Sequence, residues 1–200
     1  MRSATEYIEA YKMLADKVIE TRAKVAHNWP TPDQKDSVLY AITEAGEALD
    51  AYLRVKRSGD TRNHERERSV GRELAQCLMM LLTAQPSFVD IDVSRTIRTV
   101  AGDLSNTDVS LTELALVNIC FYVSGVLPDA WYRARNGEMA MVLDRLICSC
   151  AIMLMVACDW LDIDFEYDLL QELAEIERKH GDHIQEAGLI VNCNFTGMAQ

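Results

Sequence analysis

Between Leu74 and Leu82 the chain reads LAQCLMMLL, and at helical spacing this stretch has almost no polar face. A helix of that kind has to be wrapped by others, so it sets the centre of any fold built on it. A second such stretch, Leu146 to Cys158, is 13 residues long and still more evenly apolar. The longest run without a charge, Leu74 to Val89, is 16 residues and is interrupted by Gln76, Gln85 and Pro86. Both fall short of the ~20 residues that cross a bilayer, so core helices are expected and no membrane span. No period-two alternation appears elsewhere. Nine Gly and four Pro in 200 residues are too few for a turn-rich sandwich or barrel. The expected class is all-α, a single helical bundle over residues 1–200.

The remaining elements follow from spacing and punctuation. Residues 4–26 read as an amphipathic helix carrying Tyr7, Tyr11, Leu14, Val18 and Ile19. The stretch HNWPTP breaks it, with Thr31 as the expected cap and Pro32 just inside the next helix. That second helix, 33–54, has a stripe of Val38, Ile42, Leu49 and Leu53 and is slimmed by Ala41, Ala45, Ala48, Ala51 and Gly46. Residues 55–67 read as a polar loop and 68–84 as the first buried helix, ended by Pro86. A short helix over 87–104 and a polar linker over 103–110 follow. Residues 111–127, 139–161 and 165–180 read as helices, with Pro128 near a helix end, a polar loop at 133–138 and no clear period in 184–200.

Two echoes suggest a duplication. DAYLRVKRSGD (50–60) resembles DAWYRARNGE (129–138), and VDID (89–92) resembles LDID (161–164). They occur in the same order at equivalent places in the helix plan, which favours pseudo-repeats over about 27–104 and 111–180.

Charge and cysteine usage narrow the function. Twenty basic against 31 acidic residues give a formal charge of −11, a poor match to a nucleic-acid polymer. Polyphosphates remain possible where metal ions bridge the two negative partners. Cys77, Cys120, Cys148, Cys150, Cys158 and Cys193 form no C-x-x-C pair and sit mostly in apolar runs, as packed, reduced thiols do. His180 and His183 have no zinc-spaced partner. The N-terminal apolar residues alternate with Glu6, Glu9, Lys12, Asp16 and Lys17, unlike a signal peptide. A cytoplasmic location is expected.

The residues that could carry chemistry are acidic. Glu44 and Glu47 form an E-x-x-E, and three-residue spacing on a helix aims both carboxylates at one cation. They lie opposite the apolar stripe, where an E-x-x-E is usually just a solvated face. Glu73 and Gln76, again three apart, stand at the head of the buried helix. A carboxylate there needs a partner, either a metal ion or an arginine such as Arg68 or Arg72. Mg²⁺ prefers oxygen ligands and completes its shell with water and phosphate. Lys56, Arg57, Arg62, Arg66, Arg68 and Arg72 could hold phosphate, or simply pair with Asp60, Glu65 and Glu67. Trp29 and Tyr40 could stack on a base or pack in the core.

The pattern ITEAGEALDAYLR followed by GRELAQCLMMLL resembles the MazG-like all-α nucleoside triphosphate pyrophosphatases, relatives of the dimeric dUTPases and phosphoribosyl-ATP pyrophosphohydrolases. W-P-T-P, VDID and LDID add to the likeness, which covers about 27–104 well and 111–180 as a degenerate copy. The resemblance implies Mg²⁺- or Mn²⁺-dependent hydrolysis of a nucleoside triphosphate to the monophosphate and pyrophosphate. Glu44, Glu47, Glu73 and Gln76 would hold metal, with Glu47 and Glu44 assisting water. Lys56, Arg57, Arg62, Arg72 and Trp29 would hold substrate, and the chain would form a homodimer. Gln76 stands where the family has Asp, which points alternatively to a weakened or inactive nucleotide-binding relative or scaffold. In the DAYLR/DAWYR register Val123 and Val126 replace Glu44 and Glu47, so the second repeat carries no acid pair.

Overall fold

The computed structural model describes residues 2–58, 64–105, 111–128, 132 and 140–181, with side chains left out over 55–69, 101–115 and 140–141. The described residues form helices and connections, without a strand. In chain order the helices are α1 (Ala4–Val25), α2 (Gln34–Ser58), α3 (His64–Ala84), α4 (Val93–Ser105), α5 (Leu111–Phe121), α6 (Ala140–Trp160) and α7 (Phe165–His180). The chain leaves α5 through a π-helical turn, Tyr122–Val126. No single helix among the described residues is long and apolar enough to cross a membrane.

Local chemistry explains the helix starts. Ser3 and Glu6 form a capping box on α1, each side chain taking the other's backbone N–H. Asp33 rather than Thr31 caps α2, accepting from the Asp36 N–H at 2.8 Å. The two related tetrapeptides do the same work. Asp92, ending VDID, accepts from the Arg95 N–H at 2.8 Å, and Asp164, ending LDID, accepts from the Tyr167 N–H at 3.1 Å. Residues 88–92 therefore lie outside α4, which begins later than the spacing suggests. The expected 55–67 loop is also shorter, because α2 runs on to Ser58 and α3 begins at His64. The 133–138 loop and the 184–200 tail lie outside the described residues.

The two apolar helices occupy the centre. Residues 151–158 of α6 are all buried, as are Leu74, Ala75 and 77–82 of α3. α3 packs against α1, α2, α6 and α7; α6 packs against α1, α3, α4 and α5. Small residues bring α2 close. Ala41, Ala45 and Ala48 are fully buried, and the Cys77 thiol lies 3.3 Å from the Ala41 carbonyl. Gln34 bonds the Ala84 carbonyl, Cys77 meets Ala41 and Glu73 meets Glu44, so each step along α2 is matched by one back along α3. α2 and α3 are antiparallel. After α6 the chain turns by 114° into α7. Asp162 makes this turn with φ 57°, the left-handed region that Asp tolerates better than most residues.

Candidate metal-binding acidic site

Antiparallel pairing sets Glu44 and Glu47 of α2 beside Glu73 of α3. One carboxylate oxygen from each lies within 4.8 Å of the others. Glu44 and Glu73 are half-buried and Glu47 is exposed, so the group opens on one side to solvent. The helical-wheel expectation of a solvated face thus holds for Glu47 and not for Glu44, because α3 covers the latter.

Crowding of like charge in a partly dry place alters these acids. Burial, then repulsion from Glu47 and Glu73, pushes the Glu44 carboxyl up to about 7. Burial and repulsion from Glu47 also raise Glu73, against the pull of Arg72. Glu44 and Glu73 are hydrogen-bonded, an arrangement that keeps the proton on Glu44. The two titrate as a pair.

A fourth acid comes from the far end of the chain. The side chain of Glu172 on α7 is only 12 % exposed and forms an ion pair with Arg72, Nε to Oε1 2.7 Å. The Gln76 amide donates to its other oxygen at 2.8 Å. Its charge adds to the repulsion on both Glu44 and Glu73. Sequence reasoning passed over Glu172 because it lies on an amphipathic helix among other glutamates, each readable as surface. A signal was available in Gly71. A Cβ there would meet Asp168 Oδ2 at 2.5 Å and Ile163 Cγ2 at 3.4 Å, so glycine marks where α7 presses on α3, one turn before Glu172.

The other candidates are placed as follows. Gln76 lies on the Glu73 side of α3 and engages Glu172. Arg72 reaches the acids through Glu172. The side chains of Lys56, Arg57, Arg66 and Arg68 are not described, and Arg62 lies outside the described residues. Trp29 is half-buried and engaged by Arg22 and His180; Tyr40 is 52 % exposed on α2.

Every donor in the Glu44, Glu47 and Glu73 group is a carboxylate oxygen, which suits a hard divalent cation and not a soft one. Comparison of the chain with family models, with curated proteins and with solved structures finds no match.

Proposed function

We propose that the chain is a Mg²⁺-dependent nucleoside triphosphate pyrophosphohydrolase, as its resemblance to the MazG-like superfamily implies. The observation that carries this reading is the convergence of Glu44, Glu47 and Glu73 within 4.8 Å. Glu172 adds a nearby negative charge that Gln76 does not supply. Glu44, Glu47 and Glu73 would hold the ion. When bound, it would offset phosphate charge and acidify water.

The chain's own residues then have distinct tasks. Water attacks the α-phosphorus, a carboxylate takes its proton, the bond to the β-phosphate breaks and pyrophosphate leaves. Glu47, the exposed member, faces arriving water and substrate. Glu44, whose carboxyl is raised to about 7 in the metal-free chain, would give up its proton as it takes hold of the ion, so metal binding is expected to weaken below neutral pH. Basic residues between 56 and 72 would steady the leaving pyrophosphate, and two chains would associate as a homodimer.

Gln76 favours a second reading in the same frame, a relative that binds nucleotide and metal without turning substrate over. The deciding experiment measures pyrophosphate release from a panel of ribo- and deoxyribonucleoside triphosphates, with and without Mg²⁺ or Mn²⁺. Metal-dependent release is expected. Metal and nucleotide binding without release would select the second reading, and no divalent binding at all would remove both.

A further inference from the structure

Arg22 of α1 is buried without an acid. It is 4 % exposed, and its Nη2 reaches only the Met80 thioether, at 3.7 Å. Nε and Nη1 have no hydrogen-bond partner. Three N–H groups of a permanently charged guanidinium are thereby left without an acceptor. The guanidinium carbon lies 4.1 Å from the centroid of the Trp29 ring, and Trp29 itself stacks on His180 at 5.3 Å. Such a contact offsets only part of the loss of hydration.

Acids are plentiful in this chain, and four other described arginines find them. Arg2 pairs with Glu166 and Asp159, Arg54 with Asp50, Arg72 with Glu172 and Arg178 with Glu175. The carboxylate that α7 presents beside Arg22's own turn, Glu177, is taken by Thr21 and Lys24. The indole covers the guanidinium carbon and competes for none of its N–H groups. It belongs to the α1–α2 connection, where His27, Asn28, Pro30 and Thr31 are exposed. The cation is thus set against the indole, without an acid partner, beside an exposed segment.

We propose that Arg22 anchors a binding site for a small phosphate-type oxyanion, with Trp29 orienting the guanidinium. Three donors suit a group with three or more acceptor oxygens better than a carboxylate. Met80 lies seven residues beyond Glu73 on the same flank of α3, about 10 Å along the axis, so the site is separate from the acidic group. It stands whether or not the acids hold metal.

The test is calorimetric titration of the full chain with orthophosphate, pyrophosphate and acetate, in EDTA and at fixed ionic strength. One saturable site for orthophosphate or pyrophosphate is expected, with acetate at least tenfold weaker. Equal binding of the two phosphates would identify free phosphate as the ligand, and tighter pyrophosphate a polyphosphate. Arg22→Lys keeps the charge, loses the planar array and is expected to weaken binding at least tenfold. Arg22→Met is expected to abolish it. Absence of saturable binding to the wild-type chain at millimolar phosphate overturns the proposal, as does unchanged affinity in Arg22→Lys. If Arg22→Met fails to fold, those two measurements still decide. EDTA removes divalent ions, so failure here is distinct from failure of the hydrolysis panel.

Discussion

The α2–α3 and α5–α6 pairs solve the same packing problem with opposite chemistry. In α2–α3 alanines let the backbones close up, and the polar residues at the rim, Glu44, Glu73 and Gln76, remain half-buried beside one another. In the register of the DAYLR/DAWYR echo, Val123, buried, and Val126 both stand in the π-helical turn that follows α5. Counting back from LDID as from VDID sets Arg145 and Cys148 of α6 where α3 has Glu73 and Gln76. Both pairs supply core, and one also keeps a cluster of like charge that a folding-only design would avoid. Crowded, partly buried carboxylates cost stability even with Arg72 nearby, so their retention in one pair is the feature most in need of a functional explanation.

The sharpest way to break the comparison is Glu47→Ala. Pyrophosphate release should fall to background while helical content and melting temperature stay near wild type, because the side chain is exposed. Unchanged release would remove the acids from the reaction.

Grafting the acid onto the other pair should fail structurally. Val123→Glu is expected to lower stability by about 3–5 kcal/mol in denaturant titration, since the side chain is buried among apolar neighbours. A neutral result would mean that the α5–α6 side can hold charge as well.

Gln76→Asp installs the residue found at this place in the MazG-like pattern that the sequence resembles, which from sequence alone should leave activity equal or higher. Because Gln76 donates to Glu172, the aspartate instead faces a carboxylate and loses the bond, for about 1–2 kcal/mol of stability. Adding Glu172→Gln should recover most of it, a coupling that a double-mutant cycle reads directly.

The smallest effect is a pH slope. Glu44 in the fold titrates near 7 against an ordinary 4.5, so the folded state holds the extra proton. In metal-free buffer stability should be fully present below about 4.5 and decline as pH rises through 7. Glu20 and Glu175, held low by lysine and arginine partners, act with the opposite sign and only as pH falls from 4.5 toward 2. Glu44→Gln should flatten the slope between 5 and 8, and a slope that survives would assign it elsewhere.

The helices were legible where period and punctuation agree. Residues 165–180 match α7 because Asp164 caps one end and Gly181 follows the other. Boundaries moved where residues without strong preference decide. VKRS extends α2 and HERE opens α3, since neither contains a breaker. VDID and LDID looked like marks of duplication, and their shared role is now physical: each ends in the aspartate that caps the following helix. Glu44, Glu47 and Glu73 were legible as a group through spacing. Glu172 was not, because only the crossing of α7 over α3 tells it from the glutamates around it.

Sulfur distribution carries one more consequence. Cys77, Cys148, Cys150 and Cys158 are unbridged and enclosed, and burial drives each thiol upward in pKa. An alkylating reagent can reach them only when the interior opens. With Cys193 and Cys120 replaced, the pace of alkylation becomes a clock for breathing of the molecule. Successive marks on α3 and α6 would tell whether its two central rods loosen together or one ahead of the other.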